Sequence, residues 1–430
     1  DAYNVAVGMH AGLNMTTGIN NTVIGGLAGD AINTGGQNVA LGKASLTSAT
    51  TASDNVGLGY AALSALTTSA RNVAIGTEAL NGAMATNSNT YNVAVGYKAG
   101  KVVTSGIRNT IVGGFAGDSL TTGSENVAIG YSALTTEDAH GRNVAVGGNA
   151  LRDLNAGANA LNVAVGYDAG LLMSTGVRNV IMGGLAGDAL TTGSYNQALG
   201  YSALGTETGG SRSTAIGYLA LGIQNVGSGE ANNVAIGHSA GGAVTSGVQN
   251  VVMGSLTGDA ITTGSDNVAI GYNALSTEDT GGQNVAIGAQ ALQNLDAGAN
   301  GLNVAIGFQA GTAMQTGVQN TIVGALAGDA LTTGSRNIAI GFAALTVEDT
   351  GGRNIAIGRS ALAVLDAGQD GYNVAIGDDA GVSMSTGVKN VLIGGAAGDA
   401  LTIGQFNIAI GHKALSTSVD GDENVAIGYL

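Results

Sequence analysis

The 430-residue chain contains no Pro, no Cys and no Trp, and only 10% of its residues are charged. A chain of this length at average usage holds about twenty Pro. Excluding all of them implies that nearly every backbone N–H is needed in a hydrogen-bonded ladder. Without Cys there is neither a disulfide framework nor a thiolate metal site. Aromatics, at 4%, are too few for several conventional cores. Acidic residues outnumber basic ones, 29 to 14. Phosphate neutralisation needs clustered cations, so nucleic acid is not expected as a partner. Asn, Thr, Ser or Gly interrupts every apolar run before 18 residues, so no transmembrane helix or membrane insertion is predicted. The first residues, DAYNVAVG, do not show a signal-peptide pattern. Disorder is not expected of a chain that is 44% hydrophobic.

What is abundant is Gly, with 75 residues, and a recurring unit N-V-A-I-G. The unit occurs 25 times, starting at Asn in every case but Ser213. Asn4, Asn21, Asn38, Asn92, Asn126, Asn162, Asn267, Asn303 and Asn373 are members of this series. The spacing is 17 residues, except for junctions of 19 or 20 after the units at Asn72, Asn143, Ser213, Asn284 and Asn354. The junctions divide one repeat domain, 1–430, into blocks 4–91, 92–161, 162–232, 233–302, 303–372 and 373–430. A short fixed period marks a solenoid.

In NVAIGYNALSTEDTGGQ, residues 267–283, Val268-Ala269-Ile270 reads as a strand and Gly271 as a bend. Asn273-Ala274-Leu275 reads as a second short strand, and the remainder as turn. Such a unit is too small to fold alone and too short for a strand plus a helix. Stacking on its neighbours gives an all-β parallel β-solenoid, or β-roll. At about 4.8 Å per coil, 25 coils predict a rod roughly 120 Å long. The extended junction segments, such as 152–161 and 293–302, are expected to bulge outward. The second coil of each block is specialised, as in NVIMGGLAGDAL from Asn179. Its third position is Val, Ile or Leu where other coils mostly have Ala, and its sixth is Gly, Ser or Ala where others often have Tyr or Phe. This suggests that the third and sixth positions share a layer and exchange volume.

Val268 and Ile270 point to one side of the strand, and Asn267, Ala269 and Gly271 to the other. Neither side is charged, and a strand apolar or small on both faces should be covered on both. Since no segment departs from the repeat, the second cover must be an identical chain, with the smooth Ala/Gly side sheltered against it. At 17-residue spacing the Asn side chains should stack as a turn-stabilising ladder.

The repeat NVAIGYNALSTEDTGGQ and its relatives resemble those of tail-fibre-domain proteins of phages and bacteria. They are also similar to the head repeats of YadA-like trimeric autotransporter adhesins. The similarity spans the whole chain. It implies a homotrimeric, left-handed roll and a rigid extracellular or virion-borne stalk that carries receptor-binding parts elsewhere. The 430 residues contain neither the chaperone domain of many phage fibres nor the coiled-coil stalk and membrane anchor of the autotransporters. With the ends out of register and no atypical capping coil, the sequence is expected to be a window of a longer fibre rather than a head-to-tail polymer.

No catalytic constellation and no cofactor are predicted. His10, His140, His238 and His412 lie on different coils, none paired at metal-ligand spacing. GGLAGD at 25–30 lacks the following helix of a phosphate loop. Asp30, Asp118, Asp188, Asp259, Asp329 and Asp399 each follow Gly in the specialised coil. They read as Asx-type turns, with a Ca²⁺ site as the weaker alternative, since Ca²⁺ takes six to eight oxygens. Tyr97, Tyr131, Tyr167, Tyr201, Tyr218, Tyr272 and Tyr429 occupy the sixth position and read as cover for an interface, with glycan stacking as the alternative. Paired turn Thr residues recur only once per block, too seldom for an ice-binding face. The function expected is a structural shaft of a phage-type tail fibre; the alternative is a bacterial surface adhesin that binds host matrix or glycan.

Overall fold

Each N-V-A-I-G motif forms a three-residue strand, from Val5–Val7 to Val425–Ile427, and consecutive strands pair parallel and in register. Val163, Ala164 and Val165 stand beside Val180, Ile181 and Met182, and Val268, Ala269 and Ile270 beside Val285, Ala286 and Ile287. The computed structural model describes residues 2–84 and 88–430; Asp1 and residues 85–87 lie outside them. The chain is an all-β parallel β-solenoid of 25 three-residue rungs, without helix among the described residues. It groups into two units, Asp1–Ser213 with Gly227–Gly229 and Thr214–Val226 with Glu230–Leu430. Within each unit successive coils share one strand-and-turn pattern.

The ladder extends beyond the strands. Gly271 donates to the Met253 carbonyl at 2.8 Å, Leu275 to Ala291 at 3.0 Å and Thr262 to Asp279 at 2.7 Å. Main-chain donors at several corners of a coil thus find acceptors in a neighbouring coil. Pro at any of these donors would delete a bond, in keeping with its absence from the sequence.

The second strand anticipated at Asn273-Ala274-Leu275 does not form. Asn273 and Leu275 take left-handed backbone angles, φ 52° and 51°, and turn the chain. Tertiary packing overrides local preference here: the turn carries Leu275 into the interior, where it is fully buried. Burying such a side chain contributes ~1.5–3 kcal/mol, more than the ~1–2 kcal/mol cost of a left-handed residue.

The two strand faces are also assigned the other way round. The small central residues, Ala164, Ala269 and Ala339 among them, are fully buried inside the coil. The outward face carries the β-branched residues, such as Val268 and Ile270, which remain partly accessible. A three-residue strand sits too close to the opposite wall for large residues inside, unless that wall recedes.

In the specialised coils it does recede, but not as the third-and-sixth-position exchange proposed. Ile111, Ile181, Ile322 and Leu392 at the third position are fully buried, whereas Tyr131, Tyr167 and Tyr201 at the sixth are at least half exposed. The two positions lie on opposite surfaces. The volume comes from the ninth position, Leu275 in an ordinary coil and Gly187 or Gly328 in a specialised one. A methyl group at Gly187 would lie 3.2 Å from Ile181 Cδ1 and 2.8 Å from Leu190 Cδ1. The small sixth position has a separate cause: the Tyr131 and Tyr201 rings of the next coil lie over Gly114 and Gly184.

Candidate functional site

The Asn series, buried except for the partly accessible end members Asn4 and Asn424, works as a double tie. Asn320 donates from Nδ2 to the Gly334 carbonyl at 2.9 Å, fastening the beginning of its coil to the end. Its backbone N–H and Nδ2 reach Asn303 Oδ1 in one neighbouring coil, at 2.9 and 3.3 Å. Its own Oδ1 accepts the N–H of Asn337 in the other, at 2.9 Å. The same bonds join Asn4 to Asn21, Asn21 to Asn38, Asn109 to Asn126 and Asn250 to Asn267, while Asn92, Asn162 and Asn373 repeat the tie across their own coils. Where Ser213 replaces Asn, the buried Gln224 side chain accepts from Asn233 Nδ2 at 2.8 Å.

The six Asp residues of the specialised coils are not brought together. Backbone N–H groups at residues 118 and 119 hold the Asp118 carboxyl, and Thr47 Oγ1 donates to Asp30. Oδ1 of Asp118, Asp259, Asp329 and Asp399 is buried without a partner. Burial pushes the carboxyls of Asp118, Asp188, Asp259 and Asp329 above their ordinary value. No second carboxylate joins any of the six in the cation-sized clusters found among the described residues.

Two surface features stand out. The sixth-position aromatics are exposed, Tyr131 and Tyr167 each by 63%, and in places contact rings of adjacent coils, as Tyr97 and Tyr131 do with the seventh-position Phe115 at 5.2 and 5.9 Å. The residue before each repeat start forms a second column. Eight of the fourteen basic residues stand there: Arg71, Arg108, Arg142, Arg178, Arg212, Arg336, Arg353 and Lys389. Arg178 and Arg212 flank the Tyr195 ring at 5.3 and 5.9 Å, and Arg353 lies 5.1 Å over Tyr372. Arg142 and Arg108 grip Glu125 at 2.9 and 3.1 Å and hold its carboxyl below the ordinary value. The concentration of scarce cations on one column was not read from the sequence, although the spacing carries it.

Buried glutamates were missed as well. The twelfth position of a coil faces the interior and is apolar in most coils, as at Met173, Leu190 and Leu295, yet Glu137, Glu207, Glu278 and Glu348 occupy it once in each of the four middle blocks, fully buried. Glu278 accepts the N–H of Gly281 at 2.7 Å and of Ala297, in the junction bulge, at 3.2 Å. Glu348 does the same with Gly351 and Ala367. Each carboxylate thereby anchors an outward loop, whose Gly298 or Gly368 meets only open space.

Burial raises the Glu278 and Glu348 carboxyls foremost; the backbone donors oppose it, and the neighbouring Asp296 and Asp366 add to it. A raised carboxyl binds its proton more tightly folded than unfolded. Its stabilisation is therefore complete below the ordinary glutamate range and is lost as pH rises through the elevated folded value. Melting temperature is expected to fall as pH is taken from about 4 to 7. The double variant Glu278→Gln/Glu348→Gln should show a shallower slope in the same calorimetric series.

A shallow groove in the second unit is lined by Leu219, Ile223, Leu256 and Asp259. Comparison with known families and with curated proteins finds no match to the chain.

Proposed function

We propose that the chain is a shaft segment of a homotrimeric, left-handed extracellular or virion fibre of the phage tail-fibre type, a stiff spacer that presents a receptor-binding tip carried elsewhere. The observation that carries this reading is the outward strand face. Coil after coil it offers Val, Ile, Leu, Met or Thr, as at Val268, Ile270, Val285 and Ile287, with Gln197 the exception, no charge, and no covering segment among the described residues. Contiguous apolar surface of this kind is rare on soluble monomers and marks an interface. An identical chain in the same register offers the same face at every level, and a closed ring of such chains leaves none bare.

Light scattering during gel filtration should give about three times the 41.7 kDa chain mass. The mass should hold from low to high salt, because the buried contact is uncharged. Ile287→Lys with Ile306→Lys should shift the particle to monomer while circular dichroism stays β-type. A wild-type chain that is monomeric at micromolar concentration would sink the reading.

The Arg/Tyr column and the exposed sixth-position rings favour a second reading, a surface adhesin that stacks and ion-pairs with an acidic host glycan. Glycan-array binding by the wild type that is lost in Arg178→Ala/Tyr195→Ala would favour it over a passive shaft.

A further inference from the structure

The four buried glutamates are not equivalent. Both oxygens of Glu278 and Glu348 accept backbone N–H groups. In the first unit, Glu137 Oε1 accepts the backbone N–H of His140 at 3.0 Å and lies 3.1 Å from His140 Nδ1. Its Oε2 is buried without any partner, although the side chain is completely enclosed. An enclosed carboxylate oxygen with nothing to accept is unfavourable unless a proton or a cation meets it.

Possible ligands converge on this carboxylate. One donor atom each from Glu137, Asp138 and His140 lie within 4.8 Å of one another. The sequence around them departs from its sister coils at two places. His140 stands where they carry Gly210, Gly281 and Gly351, and Asn155 stands where Asp296 and Asp366 supply a third carboxylate. Of the four coils only this one has gained an imidazole; the Glu207 coil shares the lost acid, with Asn225 there, but has Thr208 in place of Asp138. Two carboxylates and an imidazole suit Zn²⁺, Co²⁺ or Mn²⁺; Ca²⁺ wants more oxygen and has no use for nitrogen.

We propose that Glu137, Asp138 and His140 form a binding site for a divalent transition-metal ion, with the enclosed Glu137 carboxylate as its inner ligand. The ion takes the place of the hydrogen bond between Glu137 and the His140 ring. The imidazole then binds the ion through Nδ1 and carries its one proton on Nε2, so no net proton need leave. Asp138 is exposed and His140 partly so, which gives the ion a way in and leaves coordination positions for water. The site does not depend on the fibre reading.

The full chain, freed of metal with chelator, is titrated with ZnCl₂ by calorimetry and with CoCl₂ by visible absorption. A binding event with one ion per chain, a Co²⁺ absorption band and a raised melting temperature are expected. His140→Gly reproduces the residue of the sister coils, so the metal-free melting temperature should stay put. Its Zn²⁺ affinity should fall at least about tenfold, and Glu137→Gln should weaken binding as much. Three results would overturn the site: no Zn²⁺ heat or thermal shift in the wild type, affinity unchanged in both variants, or Ca²⁺ bound as tightly as Zn²⁺ with no effect of His140→Gly.

Discussion

Gly341→Ala is expected to destabilise the second unit by about 3 kcal/mol or more and to split its unfolding into two steps. Gly341 holds φ +138°, a conformation essentially reserved for Gly, which alone is worth roughly 1–3 kcal/mol. Space forbids the change independently. An added methyl would lie 2.3 Å from the Gly358 carbonyl oxygen and 2.6 Å from its carbon, which are backbone atoms of the next coil. Relief requires the coils to move apart, and that breaks the ladder between them. Because each coil touches only its neighbours, damage at one level should uncouple the array there rather than weaken it evenly. Gly368→Ala is the control. Its φ of +63° carries a strain of only ~1–2 kcal/mol, and its methyl meets nothing within 4 Å. Urea unfolding followed by circular dichroism distinguishes them; equal losses would remove close stacking as the reason for the Gly column.

The other large effect is expected at Asn320→Ala. The substitution removes the bonds from Nδ2 to Gly334 and to Asn303, and the bond accepted from Asn337. Two buried main-chain groups, the Gly334 carbonyl and the Asn337 N–H, are left without these partners. At ~1–3 kcal/mol per unsatisfied group, the loss should be about 2–6 kcal/mol. Asn320→Ser should cost less, since its hydroxyl can pair with one of the groups that Ala leaves bare and the chain itself carries Ser213 at one such position. The same urea series reads the difference. A loss below that of an ordinary surface substitution would mean that the ladder is decorative.

These two columns also show what was legible in advance. The 17-residue period, the strand at Val268–Ile270 and the stacked Asn side chains follow from spacing alone, because vertical neighbours in a solenoid are identical in sequence position. Orientation did not follow. Val-Ala-Ile alternates equally well with Ala inward or outward, and only the depth of the coil decides. The turn at Asn273 and Leu275 was unreadable for a related reason. Leu has little intrinsic taste for a left-handed backbone and adopts it to reach the interior. Glu137 was hidden inside turn-like sequence, TTEDAHG, whose composition speaks for solvent. Only counting to the twelfth position, where Leu190 and Leu295 sit in other coils, marks that acid as enclosed. His140 gains its meaning only beside that acid three residues away, not beside the other His residues of the chain.

The junction bulges suggest a use. At residues 298 and 368 the chain leaves the coil and returns without disturbing the pairing of Val285 with Val304 or of Ile355 with Val374. A foreign peptide grafted at either tip would lengthen a detour that the ladder already ignores. Vaccine epitopes or enzyme tags inserted at both tips would recur at a chemically defined interval of four rungs, on a scaffold that contains no thiol to compete during conjugation.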